Sequence, residues 1–245
     1  MRGSFARRRL YGLLASQVFS AGSELVAGVI DMVVAGNLVG VDALSGIATV
    51  LPVVIGAQFA AKLVASGSGY LFAKYQGMLD AERARKAVGL ALTTAAAVGL
   101  MIFTLASFGR DGYFELMGLT GPVREQASLY WRWIFVYYSL YPLMQTMWRF
   151  VYADGEMVTT AVGGALSPLL TIVLSVVFTR LTDSAAGVAL GVLVGMGTSD
   201  LVMMLHCFRR SNAVVPRWGF SWHGLKELLS YSLTDSTAKL CQCAF

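Results

Sequence analysis

The chain has 245 residues, of which 56% are hydrophobic and 13% are charged, with a formal net charge of +5. Soluble domains are typically about 25% charged, so this composition, with a mean hydropathy of +0.64, excludes an ordinary soluble domain. It indicates an all-α, multi-pass membrane protein, and the clustering of Lys and Arg at the ends of apolar segments argues against nucleic-acid binding.

Six apolar segments are long enough to cross a membrane, which takes about 20 helical residues. A seventh apolar segment begins near residue 225, and the chain stops inside it. We predict a six-helix transmembrane lobe over residues 1–208, a cytoplasmic linker over 209–224 and the truncated start of a second lobe over 225–245. The predicted spans lie near residues 10–37, 43–74, 86–108, 127–150, 157–180 and 185–208.

The basic residues predict the orientation. Arg2, Arg7, Arg8 and Arg9 precede the first span, and most other Lys and Arg residues fall in loops on the same predicted side. Cytoplasmic loops are enriched in Lys and Arg, so we expect a cytoplasmic N-terminus and a location in the plasma membrane. The first apolar stretch is too long for a cleavable signal peptide.

Two carboxylates lie inside the first predicted span. Glu24 and Asp31 are seven residues apart, which places them on one helix face, and Gln17 extends that face. An acid inside a membrane costs about 2.5 kcal/mol or more on insertion scales. Both acids are therefore candidate functional residues.

Helical rise separates these acids by depth. Asp31 is expected about 10 Å below the outer end of its helix and Glu24 about 21 Å below it, near the level of Gln58, Lys62 and Asp200. We predict Asp31 as a separate, shallower site without a cationic partner, and a mid-membrane polar cluster or substrate cavity below it. The predicted cluster comprises Gln17, Glu24, Gln58, Lys62, Tyr138, Gln145 and Asp200.

Alternatives remain open for these residues. Glu24 and Lys62 form either a structural ion pair or a switch in which Lys62 exchanges between carboxylates. Asp31 is either an interfacial acid near the helix exit or a proton carrier. No metal site is predicted, because Cys241 and Cys243 lack the CxxC spacing.

Three further features concern the external loop and the later helices. Residues 113–117 are predicted to form a short interfacial helix. Gly163, Gly164, Gly187, Gly191 and Gly195 predict close helix–helix contacts, since small residues near four-residue intervals let backbones approach. Aromatic residues crowd the outer half of the fourth span and form either a membrane-interface belt or the lining of a cavity for an aromatic or cationic ligand. They are Tyr130, Trp131, Trp133, Tyr137, Tyr138 and Tyr141.

Short patterns occur in order along most of the chain. Asp31 and Gly36 end the first span, and Gly-Val-Asp-Ala-Leu over residues 40–44 opens the second. The order and spacing of these patterns resemble the N-terminal half of multidrug and toxic compound extrusion (MATE) transporters. Further matching stretches lie at residues 67–75, 82–86, 114–118, 127–130 and 153–155.

This resemblance implies two six-helix halves around a central cavity that opens alternately to either side. The chain would cover one half and the start of the next. It implies an antiporter, not an enzyme, that exports drug-like or cationic amphipathic compounds in exchange for protons or sodium. The implied partners are a small-molecule substrate, membrane lipid and a second six-helix half, normally from the same chain, and no cofactor besides the coupling ion is expected.

The resemblance also assigns Asp31 as the coupling acid. In relatives, helix five supplies an Asn and, four residues on, an Asp beside it, and the matching positions here are Ser167 and Thr171. A helix-six hydroxyl position falls near Val192. Because a sodium site needs several oxygen ligands, proton coupling through one carboxylate is the simpler expectation.

Two other functions are considered. A lipid-linked oligosaccharide flippase of the related superfamily would need Arg and Lys residues in its cavity to bind pyrophosphate, and this half has only Lys62 well inside the membrane. An inactive fragment or membrane scaffold is the second alternative.

Overall fold

The structure is a computed structural model that describes residue 29 and residues 31–153, 157–210 and 221–243. Every regular element in these ranges is an α-helix, which confirms the all-α prediction. Helix α1 covers residues 31–38 in the described part of the chain. It is followed by α2 (Val41–Gly77), α3 (Ala81–Leu116), α4 (Gly121–Ala153), α5 (Met157–Thr182), α6 (Ala185–Arg210) and α7 (Trp222–Cys243).

The described helices follow the predicted order of spans. By length and composition, four stretches of the described residues are able to cross a membrane. They are α2, α3, Val162–Thr182 of α5 and Ala185–Val202 of α6.

The predicted interfacial helix over residues 113–117 is wrong. Helix α3 continues through this stretch to Leu116, because Phe114 is buried and the Tyr113 hydroxyl donates to the Thr49 carbonyl oxygen at 2.7 Å. Gly118 then ends the helix with a φ of +66°, and the Leu119 amide donates back to the Phe114 carbonyl at 3.0 Å. This pattern is a Schellman-type helix end, in which glycine supplies the left-handed residue.

Helix α2 lies at the centre of the packing and contacts α3, α4, α6 and α7. It approaches α4 closely at Gly46, where an added Cβ would lie 2.9 Å from the Ala127 backbone nitrogen. A larger apolar core surrounds Ile47 and Ile134, and a second core surrounds Phe72 and Phe150. The two cores follow one another along α2 and hold the bundle together.

Helices α5 and α6 contact one another through a row of hydroxyl residues and a row of glycines. A Cβ added at Gly187, Gly191 or Gly195 would collide with the α5 backbone, so the close contact predicted for these three glycines is confirmed. A Cβ at Gly164, by contrast, would meet only the Trp148 ring at 3.9 Å. The facing pairs are Gly187 with Thr179, Gly191 with Ser175 and Gly195 with Thr171.

Helix α7 packs on the last turns of α2. The Lys74 ammonium lies 2.6 Å from the Glu227 carboxylate, and the Tyr70 and Tyr231 rings lie 4.5 Å apart between centroids. Gly67 makes room for this contact, since an added Cβ would collide with the Leu228 carbonyl oxygen.

Candidate functional site

A cavity of about 180 Å³ is lined by residues of α1, α2, α4, α5 and α6. One acid comes from α1 and one from α6, while α4 supplies tyrosines along the wall. The members that had been predicted as site residues are Asp31, Gln58, Tyr138, Gln145 and Asp200.

Asp31 enters the cavity from the first described turn of α1. The Ser175 hydroxyl of α5 lies 3.5 Å from Asp31 Oδ1, a long and weak hydrogen bond, and 3.4 Å from the Val188 carbonyl oxygen. Ser175 therefore links the candidate coupling acid to the α5–α6 contact.

The family resemblance places Ser167, Thr171 and Val192 near Asp31, but not all three line the cavity. Ser167 and Val192 line the cavity with Asp31, whereas Thr171 faces Gly195 between α5 and α6. Ser175 was missed from the sequence. It belongs to a row of hydroxyl residues at four-residue intervals on α5, and that periodicity is the signal that would have identified it: Ser167, Thr171, Ser175 and Thr179.

Asp200 lies in the same cavity as Asp31, so the prediction that these acids belong to separate sites is wrong. Depth along the helix axes does differ, but the cavity extends along the helices and includes both levels. Asp200 is buried, and its two oxygens accept hydrogen bonds from Trp148 Nε1 at 2.8 Å and from the Tyr137 hydroxyl at 3.2 Å.

Lys62 was predicted to share the polar cluster with Asp200. The structure places Lys62 on α2 outside the cavity lining, and Asp200 is bonded to α4 side chains. Gln17 and Glu24 lie outside the described residues, so the predicted Glu24–Lys62 pair stays a prediction.

Four tyrosines of α4 line the cavity. Tyr130, Tyr137, Tyr138 and Tyr141 are 3–5% exposed and all contribute to the wall. The Gln58 amide donates to the Tyr138 hydroxyl at 2.7 Å, which joins α2 to α4 across the cavity. Of the six aromatic residues of this span, these four tyrosines line the cavity, whereas Trp131 and Trp133 are not part of its lining.

The charge of the cavity follows from its lining. It contains two carboxylates, and none of its described lining residues is Lys or Arg. Faces of tyrosine and tryptophan rings also attract cations. The cavity is thus suited to a positively charged ligand with aromatic or apolar parts.

Comparison with known protein families gives a match to the MatE family over residues 18–177, which is more than half of the chain. The chain belongs to the MATE family. A comparison with curated protein sequences returned no match.

Solved MATE structures have the same fold as this MATE chain. A MATE in complex with MaD3S superposes with a TM-score of 0.83 at 21% identity, covering 94% of this chain and 53% of that chain. An outward-facing multidrug resistance MATE family transporter of the MOP superfamily superposes with a TM-score of 0.82 at 22% identity. This match covers 94% of this chain and 52% of that chain.

A MOP superfamily transporter from Pyrococcus furiosus, described as having a binding pocket of reverse polarity, superposes with a TM-score of 0.82 at 21% identity. The match covers 94% of this chain and 52% of that chain. The MATE chain therefore spans about half the length of the structures it matches, and it has the fold of one six-helix half.

Proposed function

We propose that this MATE chain acts in a secondary active efflux transporter, an antiporter that exports cationic amphipathic, drug-like compounds in exchange for protons or sodium. The observation that carries the proposal is that Asp31 lines a cavity together with four tyrosines of α4. A carboxylate beside aromatic faces favours an organic cation.

The lining argues for export of a cation rather than transport of a pyrophosphate-linked lipid. Two carboxylates in one cavity repel a polyanion, and a flippase cavity needs basic residues to bind the phosphates. The flippase alternative has no support in the described lining.

Coupling is proposed to operate through Asp31. A proton that neutralises this carboxylate removes its attraction for a bound cation and alters the contact with Ser175, so the proton and the substrate compete for one group. Sodium would need further oxygen ligands around Asp31, and among the described residues its side-chain hydrogen bond is with the Ser175 hydroxyl. Proton coupling is therefore the simpler form of the proposal.

A second six-helix half is proposed to close the other side of the cavity, normally supplied by the same chain. Alternating access then follows from rocking of one half against the other around the central site. The proposed location is the plasma membrane with a cytoplasmic N-terminus, as the basic residues around the spans favour.

The test is efflux of the fluorescent cation ethidium from cells that express the gene, measured as a function of external pH. Asp31→Asn is expected to abolish the pH dependence and reduce efflux to the background of cells without the gene. Asp42→Asn is the matched control, because Asp42 is an exposed acid in the first turn of α2. Efflux by the control should equal that of the unmodified protein.

Two results would contradict the proposal. Full pH-dependent efflux by Asp31→Asn would remove the coupling role of this acid. A stable, membrane-inserted protein without efflux of any cation would favour the membrane scaffold.

A further inference from the structure

The residues that line the cavity are spread along the helices. On α2 its lining runs from Ile47 to Gln58, which is about 16 Å of helix, and on α4 from Tyr130 to Trp148, about 27 Å. A ligand that fills it has to be extended along the helices.

Asp200 lies at one end of this length. It is held by Trp148, the last α4 residue of the lining, and by the Tyr137 hydroxyl. The indole nitrogen of tryptophan is a donor only, so Asp200 Oδ1 is fixed as an acceptor. Two donors on different oxygens hold the carboxylate in one orientation, while each oxygen keeps a further acceptor position for a ligand.

Asp31 lies at the other end. Its contact residue Ser175 faces Gly191 on α6, so Asp31 is at the level of Gly191. Asp200 is nine residues further along the same helix. The two carboxylates are therefore about 13 Å apart along α6, before any sideways displacement is added.

Between the two acids the lining is aromatic and apolar. Val192 and Met196 continue the cavity face of α6 at four-residue intervals toward Asp200, and Tyr138 and Tyr141 face it from α4. This middle section suits an uncharged hydrocarbon or aromatic spacer, and its ring faces tolerate a cation near either end.

We propose that Asp31 and Asp200 are the two ends of one site for elongated organic dications, with one cationic group at each carboxylate and an apolar spacer between them. This inference rests on the proposed efflux function and names the substrate class that the same cavity prefers. A dication engages both acids at once, so the second contact forms at high effective concentration once the spacer length matches the separation of the acids. A monocation of the same length engages only one acid.

The test uses the full chain in detergent and a series of bis(trimethylammonium)alkanes of increasing length, each compared with the alkyl-trimethylammonium of equal length. Binding is measured by equilibrium dialysis. Dication affinity is expected to be greatest where the two nitrogens are about 13 Å apart, and to exceed that of the matched monocation by about tenfold or more. Asp200→Asn should remove this advantage and leave monocation binding at Asp31 in place.

Asp183→Asn is the matched control, because Asp183 is an exposed acid in the turn between α5 and α6 and asparagine tolerates its positive φ. It should keep both the affinity and the preferred length. Asp200→Glu is a second test variant, and it keeps an acid at this position. It moves the carboxylate by one methylene and is expected to shift the preferred dication length.

The outcomes separate this inference from the proposed function. Monocation binding that depends on Asp31, with dication affinity independent of length, would overturn the inference and leave the efflux proposal standing. Absence of binding by every cation in the series would overturn both.

Discussion

Ser175 of α5 faces Gly191 of α6 so closely that any side chain at Gly191 would collide with the Ser175 backbone. The same serine hydroxyl lies 3.5 Å from Asp31. The position of the Ser175 hydroxyl next to Asp31 therefore depends on the close contact between α5 and α6.

Gly191→Ala is expected to destabilise the chain by about 1–3 kcal/mol, because the methyl group forces α5 away from α6. Gly197→Ala is the matched control on the same helix, since nothing lies within 4 Å of a Cβ at that position. It should be neutral or stabilise by up to about 1 kcal/mol through helix propensity. Thermal unfolding in detergent measures both, and equal effects of the two substitutions would disprove the close contact.

Two buried threonines differ in whether their hydroxyls are bonded. Thr179 Oγ1 has no hydrogen-bond partner among the described residues, whereas Thr146 Oγ1 donates to the Pro142 carbonyl at 2.8 Å. Thr179→Val is therefore expected to be neutral or stabilising, since it removes an unsatisfied polar group, and Thr146→Val to destabilise by about 1 kcal/mol. Unfolding midpoints of the two variants decide this, and a larger loss for Thr179→Val would be the contrary result.

Helices α2, α3, α5 and α6 were predictable because each contains an apolar stretch long enough to cross a membrane. Helix α4 also lies where it was predicted, although it is not among the described stretches that are apolar enough to cross a membrane. The end of α3 could not be predicted, because the stop at Gly118 depends on burial of Phe114 against neighbouring helices. A local pattern of turn residues does not reveal that packing.

The site was only partly predictable, for a geometric reason. Asp31, Gln58 and Asp200 stand out as polar residues in apolar spans, and the structure puts all three in one cavity. Depth alone separated Asp31 from Asp200, because axial arithmetic gives no information on how far a cavity runs along the helices. Ser175 was missed because a serine inside a helix commonly bonds its own backbone.

The Gln58–Tyr138 hydrogen bond joins α2 to α4 within the cavity wall at 2.7 Å. A double-mutant cycle with Gln58→Met and Tyr138→Phe is expected to give a coupling free energy of about 1 kcal/mol. Each single change removes this same hydrogen bond, so the double variant should be more stable than the sum of the single effects. Urea unfolding of the four proteins measures the cycle, and additive effects would show that the bond contributes nothing.

The ion pair between Glu227 of α7 and Lys74 of α2 predicts a pH-dependent attachment of α7. The hydrogen bond donated by Lys74 lowers the pKa of Glu227 below its ordinary value of 4.5. A lowered pKa means that the ionised form is favoured in the folded state, so the attachment is at full strength above pH 4.5 and weakens as the pH falls through the lower folded value.

Glu227→Gln should therefore increase hydrogen–deuterium exchange of the α7 amides at neutral pH, and the difference from the unmodified chain should disappear in acid well below pH 4.5. Glu82→Gln is the matched control, because Glu82 pairs with Lys86 on the surface of α3 at 2.9 Å. It should leave exchange in α7 unchanged. Equal protection of α7 in the Glu227 variant and the unmodified chain at neutral pH would show that the ion pair does not hold this helix, and that burial of Leu228 in the core around Phe72 and Phe150 suffices.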